Sequence, residues 1–184
     1  MTPEAENSDH HLLKRAASGD RPAFEVIVRR YKHPVFRFIR RYLGNSDDAY
    51  DVLQDTFVAA WTAIGRFDSS RPLMPWLRTI ALNKCRDFSR RQTVRQMILS
   101  IFSTEVERQT VPGTADSQSE RLEELDQALA ALPAFYKEPL LLTAVSGLSH
   151  QEAATMLKTT SKAIEMRVRR ARQKLAKILP PGEG

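Results

Sequence analysis

Apolar residues recur at three- and four-residue spacing along most of this chain, and that period restricts it to helical folds. Leu53, Phe57, Ala60, Trp61 and Ile64 share one helical face, as do Leu77, Ile80, Ala81, Cys85 and Phe88. No stretch alternates apolar and polar residues as a half-buried strand would, and only seven glycines interrupt the 184 residues. The expected fold class is all-α, with two small helical domains joined by a flexible linker and the second domain a helix-turn-helix bundle. No segment repeats at a fixed period.

Local signals place the elements. Asp9 can cap a first helix through Ala17, closed by Gly19, and a second runs from about Pro22 towards Tyr42 with Phe24, Ile27, Val28 and Tyr31. Pro34 is expected to bend or interrupt it. A third helix follows Asn45 and Ser46 and continues to about Ile64; Arg66 to Pro75 reads as a loop, and Pro75 suits the first turn of a fourth helix reaching about Arg91. From Gln92 the pattern weakens, and QTVPGTADSQS (109–119) has a linker's composition. The expected domains are therefore 1–95 and 121–184, with 96–120 between them. Helical spacing resumes with Leu122, Leu125, Leu129 and Leu132, stops at Pro133, and continues in short helices near 134–145, 149–157 and 160–178.

The last two of these read as a helix-turn-helix. Ser149 and either Thr160 or Ser161 are the expected N-caps, and Glu152 completes a capping box with Ser149. Lys158 occupies the turn where glycine often supplies a left-handed conformation. Ile164, Val168, Ala171, Leu175 and Ile178 share one face, an apolar side to bury, whereas five of the eight residues from Arg167 to Lys174 are cationic. With 28 Lys and Arg against 22 Asp and Glu and a net charge of +6, that density favours a polyanion, and it fits a recognition helix in a major groove. A solvated basic face is the competing reading.

The N-terminal half divides its charge. The fourth helix carries Arg78, Asn83, Lys84, Arg86, Arg90 and Arg91, with Trp76 at its start and Phe67 before it, and aromatics beside cations suit unstacked bases. Trp76 can equally pack, and Arg90 and Arg91 can equally be a solvated helix end. On the third helix Asp47, Asp51 and Asp55 recur every fourth residue, which points to a partner with positive charge. Asp47 and Asp48 also suit a helix start for local reasons.

Four segments in order, GDRPAFEVIVRRY (19–31), DDAYDVLQDTFVAAW (47–61), PWLRTIALNKCRDFSRR (75–91) and GLSHQEAATML with IEMRVRRARQKL (147–157 and 164–175), are similar to successive motifs of the extracytoplasmic-function sigma factors of bacterial RNA polymerase. The resemblance covers nearly the whole chain. It implies that the first domain binds core RNA polymerase and reads and melts the minus-ten promoter element, that the second reads the minus-thirty-five element as duplex, and that an anti-sigma factor acts as inhibitor. Asp51, Gln54, Asp55 and Phe57 match the polymerase-binding motif. The loop of Asp68, Ser69, Ser70, Arg71 and Pro72 matches the segment that captures a flipped base, and Asn83 and Arg86 fall on the adjoining DNA-facing helix, with Trp76 and Arg90 as further minus-ten candidates. For the minus-thirty-five element, Glu165, Met166, Arg167, Arg169 and Arg170 match recognition-helix positions, after Thr160, Ser161 and Lys162 at the helix start. Lys162-Ala163 replaces a common Gly-Thr pair and Glu165-Met166 a common basic residue followed by Ser, so the promoter preferred is expected to differ from the family norm. Glu165 can accept from a cytosine amino group or pair with Arg169.

Other classes are weaker. An ordinary helix-turn-helix regulator would bind its operator without being a polymerase subunit. An enzyme is not expected: His10, His11, His33 and His150 form no catalytic set, and neither a glycine-rich phosphate loop nor metal-ligand spacing occurs, so no cofactor or metal is implied. The single cysteine, Cys85, allows no internal disulfide and suits a reducing cytoplasm. MTPEAENSDHH lacks the form of a secretory signal and no apolar run approaches a membrane span, so neither export nor membrane insertion is expected.

Overall fold

The computed structural model describes residues 8–102 and 117–179, and among them every regular element is helical. The expected linker lies largely outside the described residues. Packing divides the chain into two units, one of Met1–Arg40 with Ser46–Lys84 and the other of Arg41–Asn45 with Cys85–Gly184. No helix among the described residues is long and apolar enough to cross a membrane.

In the first unit α1 (Asp9–Ala17) buries Leu12, Leu13 and Ala16. Its N-cap is Ser8, whose hydroxyl accepts from the His11 N–H, and not Asp9 as expected. Asp9 instead reaches α2 (Arg21–Leu43), where its carboxylate accepts from Arg30 and from the Tyr31 hydroxyl. Burial, reinforced by that bond, pushes the Tyr31 phenol up to about 12. The helix α2 runs through Pro34 without interruption. Proline removes one ladder bond and crowds the carbonyl four residues back, and burial of Val35, Phe38 and Ile39 just beyond it offsets that cost and favours continuing the helix.

The helix α3 (Ser46–Ala63) buries Ala49, Val52, Thr56, Phe57 and Ala60, and a single 3-10 turn (Ile64–Arg66) follows. Leu53, assigned to the core face by period, is only half-buried; the buried stripe is rotated towards Val52 and Thr56. Two expectations for α4 (Leu73–Phe102) need correction. It starts before Pro75, because Leu73 is buried and anchors the first turn, and it extends well past Arg91. Val94, Met97 and Ile98 continue the helical spacing there on an exposed surface.

The second unit holds α5 (Ser117–Ala131), α6 (Ala134–Leu140), a π turn (Leu141–Val145), α7 (His150–Met156) and α8 (Ser161–Ile178). Its core gathers Leu129, Leu132, Leu140, Leu141, Leu142, Ala153, Ile164 and Val168, each large aliphatic contributing about 1.5–3 kcal/mol by leaving water. A polar cluster sits inside this unit. Glu138 accepts from Arg86 at 2.8 and 2.5 Å and from the Tyr42 hydroxyl at 3.2 Å. Lys137 donates to the backbone carbonyls of Tyr42 at 2.9 Å and Ala130 at 2.7 Å, with its ammonium over the Tyr42 ring. Both charged heads are thus compensated despite burial. Burial holds the Lys137 ammonium below the usual lysine range and pushes the Tyr42 phenol and Cys85 thiol up.

Candidate nucleic-acid interface

Two caps set the geometry of the helix-turn-helix. The Ser149 hydroxyl accepts from the Glu152 N–H at 3.2 Å while the Glu152 carboxylate accepts from the Ser149 N–H at 2.8 Å, a complete capping box. The Ser149 hydroxyl also donates to that carboxylate at 2.7 Å, and this bond first, with the backbone one after it, holds the Glu152 carboxyl below its ordinary range. Thr160 is the cap of α8, accepting from the Ala163 N–H at 3.2 Å, which makes Ser161 its first helical residue. Between the helices Lys158 adopts φ +53°, the left-handed conformation expected at that turn.

Packing then decides which side of α8 is displayed. Ile164, Val168 and Ala171 are buried, so Lys162, Glu165, Met166, Arg169, Arg170 and Arg172 are exposed. Arg167 is half-buried, its guanidinium over the Phe135 ring at 3.9 Å. Phe135 gave no signal in the sequence, where it reads as one more apolar residue of α6.

On α3 the exposed side runs through Asp47, Tyr50, Asp51, Gln54, Asp55 and Val58. Of the four residues matched to polymerase binding, Asp51, Gln54 and Asp55 are displayed, but Phe57 is 8% exposed and its ring meets Phe24 edge-on. Phe57 therefore supports the helix from beneath. The apolar groups displayed beside the acids are Val58 and Tyr50, the latter against Phe36 with centroids 4.4 Å apart. The available signal was spacing, since both lie four residues from Gln54 and Val58 lies three from Asp55. Asp48 is half-buried, and burial, followed by the charges of Asp51 and Asp47, raises its pKa.

The loop before α4 is a tight turn. Asp68 accepts from the Ser70 hydroxyl at 2.6 Å and the Ser70 N–H at 3.0 Å, and Arg71 approaches the same carboxylate at 3.3 Å; the Ser70 bonds chiefly hold its pKa down. The His10 ring contacts the Ser69 carbonyl at 3.0 Å. Trp76 lies against Phe67 with centroids 4.6 Å apart and remains half-buried, so it packs on one side and is partly open. Asn83 and Arg90 are exposed on α4. Arg86 is engaged by Glu138, which raises its pKa through that hydrogen bond. No three His, Cys, Asp or Glu side chains among the described residues converge to hold a metal.

Comparison with known proteins agrees with this layout. Residues 27–95 match the family model Sigma-70 region 2, and residues 122–175 match Sigma-70, region 4. The RNA polymerase sigma factor NccH of Alcaligenes xylosoxydans xylosoxydans is 41% identical over 175 residues, covering 93% of this chain and 94% of that protein. Proteins named ECF RNA polymerase sigma-E factor, such as that of Escherichia coli (strain K12), are 29% identical over 183 residues and 95% of both chains. Among solved structures, CnrH in complex with the cytosolic domain of CnrY superposes with a TM-score of 0.68 at 34% identity, covering 92% of this chain and 96% of that one. The sigma factor RpoE in complex with the anti-sigma factor NepR from Bartonella quintana gives a TM-score of 0.67 at 26% identity, over 84% and 95%. With both sigma regions matched in order and a relative similar over nearly its full length, the chain belongs to the extracytoplasmic-function sigma factors of bacterial RNA polymerase.

Proposed function

We propose that this chain binds core RNA polymerase through the exposed side of α3 and directs it to promoters, reading the minus-thirty-five element with α8 and the minus-ten element with the 68–72 loop and α4. The observation that carries the reading is the display on α8 of Lys162, Glu165, Met166, Arg169 and Arg170, opposite a buried Ile164, Val168 and Ala171. Arginines supply phosphate contacts and, nearer the helix start, groove contacts. The roles divide as 1–95 for polymerase and minus-ten recognition, 96–120 as linker and 121–184 for minus-thirty-five recognition. Asp51, Gln54 and Asp55 meet the polymerase, with Phe57 beneath them. Asp68, Ser69, Ser70, Arg71, Trp76, Asn83 and Arg90 serve the melted strand, and Arg86 is assigned to the tie with Glu138. Thr160 and Ser161 start the recognition helix.

The protein acts in the cytoplasm as an initiation factor without a catalytic step of its own. An anti-sigma factor is its assigned inhibitor, in keeping with the NepR-bound relative. An ordinary operator-binding regulator is disfavoured, since the N-terminal half matches sigma region 2. Reconstituted transcription tests the reading: purified chain plus core polymerase should give specific initiation on promoters selected from a random library, and Trp76→Ala should reduce permanganate-reactive melting more than closed-complex formation. Operator binding by the chain alone, with no stimulation of core polymerase, would overturn it.

A further inference from the structure

We propose that Phe135 is a positioning residue for promoter recognition, its ring holding the Arg167 guanidinium so that the in-plane N–H donors face the DNA. The inference rests on the reading of α8 as the recognition helix. A large aromatic left 52% exposed on a short helix lacks a packing explanation, since the four residues after Tyr136 on α6, Lys137 to Leu140, are buried while Phe135 is not. What the ring does contact is charge. The Arg167 guanidinium carbon sits 3.9 Å from its centroid, and the next residue repeats the arrangement, with Lys174 Nζ 5.5 Å above Tyr136. Arg167 and Lys174 are two helical turns apart and so lie on one side of α8, and the two rings meet edge-on at 5.2 Å. An aromatic pair on α6 thus runs along one flank of the recognition helix.

The chemistry of arginine makes this contact productive. A guanidinium bonds in its own plane through five N–H donors, whereas a ring occupies its face, so stacking fixes the head without consuming a donor. Both ends of the contact are anchored: buried Ile164 and Val168 flank Arg167, and buried Lys137 to Leu140 follow the aromatic pair. Arg167 consequently reaches the duplex with part of its rotamer freedom already removed, unlike exposed Arg169 and Arg170.

The test uses the full chain assembled with core polymerase, reading closed-complex affinity on a promoter duplex. Phe135→Leu keeps apolar bulk but removes the ring face, and should weaken the complex about two- to tenfold, the scale of ordering one long side chain on binding. Phe135→Tyr should retain the parent's affinity, and Phe135→Leu should stay fully folded at the assay temperature, its thermal midpoint lowered by no more than the roughly 1–4 °C that loss of one exposed cation–π contact costs. In an Arg167→Ala background Phe135→Leu should have no further effect. Full affinity for Phe135→Leu, or the same loss with and without Arg167, overturns the proposal while leaving α8 as the recognition helix. Unchanged affinity for Arg167→Ala alone strikes instead at Arg167 as a DNA contact, and the proposal falls with it.

Discussion

Phe57 and Val58 are adjacent on α3 and have opposite environments, 8% and 66% exposed, which shows what helical period resolves at the residue scale. Spacing placed a core stripe and an acidic stripe on α3, and both are present. It could not fix the rotation of the stripe, because Val52 and Leu53 are equally apolar and only tertiary packing chooses between them. For the same reason Phe57, matched to the polymerase-binding motif, lies under the acids while Val58 and Tyr50 stand beside them. A prediction follows for Asp51 and Asp55. Both are exposed, so Asp51→Lys with Asp55→Lys should change stability by no more than about 0.5 kcal/mol and leave helicity intact. If α3 meets a basic polymerase surface, the same reversal sets like charges together and should weaken core binding about 100-fold or more. Fluorescence anisotropy with labelled chain and core polymerase at physiological salt measures it, and near-native affinity would remove this side of α3 from the interface.

At the scale of elements, ends were legible where a side chain makes the cap and obscure where the backbone or tertiary contacts make it. Ser149 with Glu152 could be read directly and the cap of α8 narrowed to Thr160 or Ser161, whereas the cap of α1 was placed one residue late, on Asp9; the extension of α4 to Phe102 and the passage of α2 through Pro34 could not be read, since composition alone favours a stop at both places. Two turns show how left-handed backbone separates by residue type. Gly44, closing α2 at φ +78°, has no room for a side chain, as a Cβ there would lie 2.6 Å from the Ala130 methyl. Gly44→Ala should therefore cost about 2 kcal/mol, a fall of roughly 4–8 °C in Tm for a chain of this size. Lys158 has φ +53° with an ordinary Cβ, so Lys158→Gly should stabilise by about 0.5–1 kcal/mol and raise Tm by about 1–4 °C. Thermal unfolding followed by circular dichroism checks both signs; a destabilising Lys158→Gly would mean that the lysine side chain contributes more than its backbone strain costs.

Over the whole molecule, the all-helical class and the order of elements were legible because both follow from local period and punctuation. The polar cluster of Tyr42, Cys85, Arg86, Lys137 and Glu138 was not, since it joins residues about 95 positions apart and no short-range pattern announces such a meeting. Its chemistry makes stability depend on pH in a testable way. Burial raises the Cys85 thiol above its ordinary value of 9.0, so the folded chain keeps a proton that the unfolded chain releases. Stability tied to that group is complete below pH 9 and declines as pH rises further. Lys137 acts in the opposite sense, because burial lowers its pKa and the folded chain gives up that proton first. Comparing Cys85→Ala with the parent chain largely cancels the lysine contribution. At pH 7.5 the variant should melt about 2–4 °C lower, reflecting a lost buried side chain worth about 1 kcal/mol. By pH 10 the parent bears the cost of its thiol and the variant does not, so the gap in Tm should narrow or reverse. Calorimetry across pH 7.5–10 measures it, and a gap that stays constant would mean that the Cys85 thiol titrates in the folded chain much as it does in the unfolded one.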